Sequence, residues 1–470
     1  MKDSNNTLNS FIYAIFISLG IITIFYQVHF DDFWLDEMNS FFVADPNLTF
    51  EETISRHNKS DWHNPKLFNL ILKFYLNFVG YDPHLARYLP LFYGSISLIM
   101  IGIISYQIKK DNSFLFTTFL ACTSIYIIKY SQELRPYSLL LLTSTLNIFF
   151  FIKLLNSSKL RIINSIFLIL FSLLNYSTHP FGLIILFSQI TFIFYRYIFF
   201  DKPVKFYLFL YLSIISFYLA INYNYILFQI SFENYMLSND IKNVIDGFYF
   251  PRFFGSKIMG YFYLFLLLFL ILRNYKIMRA QNNNYFFFLI LIIFSYLIPL
   301  TYGVLNTPVI LDRYIIFILV PVFILISCLI KELSNKRVKL TLIFFIVIIT
   351  LSNHYIEIFQ RPNTKPQFNM AIDDIKKSGI QNIALFIPTD PSYTVANDLV
   401  SNYIKNINIF SKNIFTYYQH YQLPNNLENF WLLCYKPNIN YDCKIDKHFN
   451  YKFLKTKKYY QLESSLYSLK

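Results

Sequence analysis

Apolar residues fall along this chain in long blocks, near 11–28, 88–107, 114–130, 137–155, 162–177, 181–199, 206–221, 257–272, 285–301, 313–330 and 339–354. Each approaches the roughly 20 residues that a helix needs to cross ~30 Å of hydrocarbon. The pattern predicts eleven membrane-spanning helices. A shorter block, Lys66 to Val79, has fourteen residues with Lys73 and Asn77 inside it. It is short for a span and reads as an amphipathic helix lying on the interface. Beyond residue 354 the periodicities shorten and mix. Pro366 to Lys377 reads as a helix following a proline. Asn382 to Ile387 and Asn429 to Cys434 read as strands, and Tyr459, Tyr460 and Leu466 to Leu469 look strand-like. The expected fold is a polytopic α-helical membrane protein with a large first external loop and a small external C-terminal α/β domain. In chain order this gives a membrane domain over 1–354, with the first external loop at 29–87, and a tail domain over 355–470.

Composition agrees and excludes other classes. Of 470 residues, 55% are hydrophobic and only 14% charged, against about 25% charged in an ordinary soluble domain. So few charges cannot cover the surface of a soluble body, and so apolar a chain is not disordered. The opening MKDSNNTLNS and the apolar run after it read as an uncleaved first span.

The formal net charge of +14 lies mainly between the apolar blocks. There it acts as an orientation signal and headgroup contact rather than a nucleic-acid footprint. If 66–79 does not cross, one set of loops carries fifteen Lys and Arg, among them Lys109, Lys110, Lys331 and Arg337, and the opposite set of short loops carries six. The richer side faces the cytoplasm. This puts the N-terminus inside and places 29–87 and the tail outside the plasma (inner) membrane. Cys122 and Cys328 lie in spans and read as packing residues. Cys434 and Cys443 lie in the tail, nine positions apart, with turn-forming Pro437 and Asn438 to Asn440 between them. An external compartment would let them pair.

Ionisable residues at membrane edges are costly and invite a functional reading. They collect on the external side. Asp31, Asp32, Asp36 and Glu37 follow the first span, and His63, Asn64, Pro65 and Lys66 open the amphipathic segment. Arg87 opens the second span, Glu133 and Arg135 sit in YSQELRPY, His179 in NYSTHPFG, and Asp312 and Arg313 in LDRY. Carboxylates can serve as a general base, while Arg, Lys and His suit a phosphate. Such a face at the lipid boundary fits a lipid phosphate whose tail stays in the bilayer. The acids Asp36 and Glu37 could also hold a divalent cation through oxygen ligands. With only 10 glycines, no nucleotide-binding glycine loop is present. His29 and His57 read as surface loop residues. Trp34 and Trp62 flank the acidic loop and read as interface anchors or sugar platforms.

The order DE (Asp36, Glu37), H-x-P (His63, Pro65), ARYLPxxxG (from Ala86), SQExRPY (from Ser131), THPFG (from Thr178) and DRY (from Asp312) resembles bacterial glycosyltransferase family 39. This is the group of the dolichyl-phosphate-mannose protein mannosyltransferases in the C-type membrane superfamily, with the lipid A aminoarabinose transferases as more distant relatives. The resemblance implies transfer, with inversion, of a hexosyl or pentosyl group from a polyprenyl-phosphate donor to a glycan, lipid or protein acceptor. It implies Asp36 as general base with Glu37 beside it. Arg87, Arg135, Arg313 and His179 are implied near the donor phosphate. His63, Lys66, Glu133 and Tyr137 are implied in substrate binding. The family's H-P-P has Asn64 at its middle position here. Competing readings are a polysaccharide polymerase and a lipid-linked glycan transporter or flippase. A transporter would place its charges at the bilayer midplane, often in inverted repeats, and the charges here lie at the edge.

Overall fold

The structure is a computed structural model. It describes residues 2–61, 64–156, 160–231, 253–278, 284–306, 309, 311–386, 395–407, 416–419, 423–424, 426–436, 443 and 450–470. Trp62, His63 and most of the expected loop 222–256 fall outside the described residues. The chain divides into two compact units. The first holds Met1–Tyr26, His63–Phe68 and Pro90–Arg361; the second holds Gln27–Trp62, Asn69–Leu89 and Pro362–Lys470. The grouping is discontinuous. The first loop clusters with the tail, where a linear division at 354/355 would group it with the spans.

The helices in chain order are α1 Lys2–Phe25, α2 Leu35–Val43, α3 Phe50–Ser60, α4 Leu67–Val79, α5 Pro83–Ala86 and α6 Tyr88–Ile108. Then come α7 Ser113–Cys122, α8 Ile125–Ser131, α9 Tyr137–Asn156, α10 Arg161–Thr178, α11 Leu183–Phe200 and α12 Lys205–Ser231. They continue with α13 Lys257–Arg273, α14 Tyr285–Leu305, α15 Leu319–Glu332, α16 Lys336–Phe359, α17 Phe368–Lys377 and α18 Val395–Ile407. A short 3₁₀ segment, Pro180–Gly182, leads into α11, and another, Asp312–Ile318, leads into α15.

Every expected span position carries helix, but the count differs from eleven. Among the described residues nine helices are long and apolar enough to cross a membrane, or ten if the bent pair α7 and α8 is one span. That pair breaks by 53°. The break is local chemistry: Ser124 leaves the helix and its Oγ accepts the Ile127 N–H at 3.4 Å, capping a new start. The remaining expected span is α13, whose 17 residues reach about 26 Å. α4 has 13 residues and is too short to cross.

Within the first unit α9 pairs with α10, and α7 packs on both α1 and α15. α6 comes so near α8 that a Cβ on Gly94 would collide with Ser131. Polar side chains link α9, α10, α11 and α12. Asn147 Nδ2 donates to Ser172 Oγ at 2.8 Å, Asn175 Nδ2 to Ser144 Oγ at 2.9 Å, and Tyr211 OH to Gln189 Oε1 at 3.0 Å. Gln189 in turn donates to Asn147 Oδ1. In hydrocarbon such amides and hydroxyls have no water to turn to and serve as interhelical glue.

The second unit contains a five-stranded sheet, β1 Asn382–Phe386, β2 Thr416–Gln419, β3 Asn429–Tyr435, β4 Tyr451–Tyr459 and β5 Leu462–Leu469, in the order β2-β1-β3-β5-β4. β1 runs parallel to β2 and β3, and α18 lies between β1 and β2 in the chain, so these three form a βαβ-type half. Ile383 of β1 stands opposite Trp431 of β3 in the parallel part, whereas β3, β5 and β4 are antiparallel neighbours, with Leu433 opposite Ser464. β3 is central and buried through Tyr435, as its run FWLLCY demands. Phe430, Leu432, Ala384, Tyr451 and Tyr467 form one core cluster. Trp431 is also fully buried, and its Nε1 donates to Ser378 Oγ at 2.8 Å. Cys434 and Cys443 form a disulfide with Cα atoms 5.9 Å apart.

The helices of the first loop are tied by polar contacts inside the same unit. α3 starts with a full capping box between Thr49 and Glu52. Lys73 of α4 donates to the carbonyls of Asp45 at 2.7 Å and Leu48 at 2.6 Å. His57, expected at the surface, is buried, with Nδ1 3.0 Å from Asn69 Nδ2. It turns inward because Asn69, whose Nδ2 lies 3.2 Å from Asp61 Oδ2, supplies a polar partner there.

Candidate active site

The acidic loop is built in the second unit. α2 begins at Leu35, so Asp36 and Glu37 occupy its first turn, where the helix dipole favours acids. Glu37 is fully buried, whereas Asp36 keeps part of its surface exposed. Arg87 grips the Glu37 carboxylate with Nε–Oε1 at 3.2 Å and Nη2–Oε2 at 3.1 Å. Lys365 Nζ donates to the second Glu37 oxygen, Oε2, at 2.7 Å. Nη1 of Arg87 donates to the carbonyls of Val28, at 2.9 Å, and Asp31, and Nη2 donates to the carbonyl of Asp32 at 3.2 Å. Every N–H of this buried guanidinium is thus donated to protein oxygens. Its face also lies over Phe33, 4.7 Å from the ring centroid.

Asp31 and Asp32 are buried beside it. Thr364 Oγ1 donates to Asp31 Oδ2 at 3.2 Å. Asn369 holds Asp32 twice, through its backbone N–H at 2.7 Å and through Nδ2. Tyr403 OH donates to Asp32 Oδ1 at 3.4 Å and accepts the Phe33 N–H at 3.3 Å. Burial pushes the Asp32 carboxyl up to about 6, against the pull of the Asn369 N–H and of Arg87. Burial also lifts the Tyr435 phenol to about 12, helped by the Asp36 charge.

A divalent cation at Asp36 and Glu37 does not fit this arrangement. Both Glu37 oxygens already face cations, and among the described residues no three His, Cys, Asp or Glu side chains gather as ligands.

The other motif residues lie in the first unit, at turns between helices. Gln132 Nε2 donates to the carbonyls of Ile24 at 2.9 Å and Tyr26 at 2.8 Å, closing the C-terminus of α1. Its Oε1 accepts from Arg361 at 2.8 Å. Glu133, Arg135 and Tyr137 follow, all buried. His179 is the residue before Pro180, and its Nδ1 accepts the Phe181 N–H at 3.3 Å. In the neutral ring the proton then sits on Nε2. Gly182 is required in that turn, because a Cβ there would run into Asn175. Arg313 reaches over Tyr137, 5.5 Å from the ring centroid, and Tyr314, at 5.8 Å. The His179 ring lies 4.5 Å from that of Tyr314 and 6.4 Å from that of Tyr137. Three separate motifs therefore bring a guanidinium, an imidazole and two phenol rings together. That combination can hold an anion and cover it with aromatic faces.

Lys66 is partly buried in the first unit, and burial pulls its ammonium down. His63 lies outside the described residues. Sequence reasoning missed Thr364, Lys365, Asn369, Tyr403 and Gln132. The only local signal for the first two was a polar stretch set between Pro362 and Pro366.

No protein-family model matches the chain, and no curated protein matches it in sequence. Solved structures do match. Against ArnT from Cupriavidus metallidurans bound to undecaprenyl phosphate, the TM-score is 0.58 over 97% of this chain and 97% of that one, at 8% identity. The fold is that of ArnT. The apo form of ArnT gives 0.52 over 77% of this chain and 66% of its own, at 9% identity. What is shared at such identities is the fold, which in this chain is an array of apolar helices with a small C-terminal sheet.

Proposed function

We propose that this protein is a multi-pass membrane glycosyltransferase. It moves a sugar from a polyprenyl-phosphate donor to a glycan, lipid or protein acceptor on the external face of the membrane. The observation that carries this reading is the near full-length likeness to ArnT in its undecaprenyl-phosphate-bound form. The cluster of Arg313, His179, Tyr137 and Tyr314 supports it. A phosphate needs cations, and a prenyl tail needs an adjoining apolar surface.

In the proposed reaction the acceptor oxygen or nitrogen attacks the anomeric carbon as Asp36 takes its proton. The bond from that carbon to the phosphate oxygen breaks, and its electron pair leaves with the polyprenyl phosphate. Attack opposite the leaving group inverts the centre. Arg313, Arg135 and His179 neutralise the charge growing on the phosphate, which lowers the barrier. Glu37 and Arg87 hold the base-bearing turn. Lys66, His63 and Glu133 remain on the substrate side of the proposal. The Lys and Arg asymmetry of the loops supports a cytoplasmic N-terminus and an external tail in the plasma membrane.

The test supplies membranes containing the protein with radiolabelled undecaprenyl-phosphate sugars and identifies the labelled product. Wild type is expected to transfer label and Asp36→Asn to transfer none. Transfer that requires a nucleotide sugar, or undiminished transfer by purified Asp36→Asn, would overturn the reading.

A further inference from the structure

We propose that Lys365, Asn369 and Tyr403 are positioning residues that fix the segment from Asp31 to Glu37 and so set the place of Asp36. This rests on the reading of Asp36 as the base.

The segment cannot hold itself. It carries three buried acids and joins no strand. The N-cap of α2 is Trp34, which has no side-chain oxygen to offer. Order is imposed from the tail. Thr364, Lys365 and Asn369 each grip a different acid of the segment, and the first two sit between Pro362 and Pro366, whose fixed φ stiffens the stretch. Tyr403 adds a second hold, with its ring stacked on Phe33 at 5.0 Å. Each of Asp31, Asp32, Phe33 and Glu37 is thereby held, while Asp36 remains partly exposed in the turn they define.

Stability alone is a weak reason for Lys365. It is only 8% exposed, and a buried ion pair is often no more stabilising than a packed apolar residue. A base is different, because a displacement of 1 Å can cost about 100-fold in rate.

The test uses the full-length protein in detergent. Lys365→Met keeps the bulk and removes the charge. Its kcat is expected to fall about 10- to 100-fold with the donor KM within about twofold, since Lys365 is not among the proposed phosphate ligands. Lys365→Arg should recover most of the loss. Hydrogen exchange over residues 28–40 should quicken in Lys365→Met while the spans keep their protection. If Lys365→Met does not fold, Tyr403→Phe removes only the hydroxyl and should show the same split between kcat and KM. Unchanged exchange over 28–40, or a raised KM at unchanged kcat, would overturn the inference. Quickened exchange in a protein whose wild type transfers no sugar would leave the hold standing and overturn the proposed reaction instead.

Discussion

Glu37 lies between two cations in a dry place, and its neighbour does not. The two acids therefore answer differently to the same change. Glu37→Gln leaves Arg87 and Lys365 buried without their counter-charge, and should lower stability by about 3–5 kcal/mol, read from thermal unfolding. Asp36→Asn should leave the melting temperature near wild type and remove transfer. Arg313→Lys keeps the charge but loses the planar fork and the stacking over Tyr137, so donor binding should weaken in part, and further in Arg313→Ala; unchanged donor affinity in both would remove Arg313 from the phosphate site. Asp32 makes a prediction in pH. Its carboxyl is raised from 3.8 to about 6 in the fold. Between those values the native state holds a proton that the unfolded chain has released. Stability should therefore fall as pH rises from about 4 to about 6, by on the order of 3 kcal/mol in all, and stay level above. His29, pulled down to about 4, mainly by burial and then by the nearby His84 and Arg87, works in the opposite sense. The clean measurement is the difference in melting temperature between wild type and Asp32→Asn across that window. A difference that does not change with pH would remove Asp32 as its source.

Among the elements, α4 is the one whose length decides sidedness. At 13 residues it lies along a surface, with Phe74 and Phe78 exposed on one side and Leu72 and Leu76 buried on the other. If it does not cross, a cysteine placed at Lys110 should be shielded from an impermeant thiol reagent in intact cells, and one at Lys458 should react. The reverse labelling would mean that α4 is a span. Most elements could be read from the chain because their cause is local. A block of some twenty apolar residues makes a span wherever it stands, and FWLLCY makes a buried strand. Breaks were harder to see. The bend at Thr123 and Ser124 depends on one hydroxyl turning back on its own backbone, which a hydropathy pattern averages away. β4 was also missed as a strand of nine residues, since YKFLKTKKY is exposed along most of its length and lacks an apolar face. Its lysines suit an edge position that must not recruit further strands.

At the scale of the whole molecule, the motifs were legible and their partners were not. Asp36, Glu37 and Arg87 announce themselves as charges at a membrane edge. Nothing near them in sequence points to Lys365 or Tyr403, because a contact between distant positions leaves no local pattern. The same distance shapes a further expectation. A chain ended after Arg361 loses every tail contact to Asp31, Asp32 and Glu37, and limited proteolysis should cut residues 27–62 at once. Cys434→Ser should cost the tail about 2–3 kcal/mol, the constraint of so short a loop, with both thiols masked in non-reduced wild-type protein. The pairing of Glu37 with Lys365 spans 328 positions. At about 5–20 residues per second a ribosome needs about 15 to 65 seconds to pass from one to the other. Throughout that interval the early loop stands outside the last-made part of its own fold, with its acids in water. On the proposed mechanism the base is set only when synthesis is nearly over, so an unfinished chain of this protein is expected to be inactive and open to a protease until the last quarter arrives.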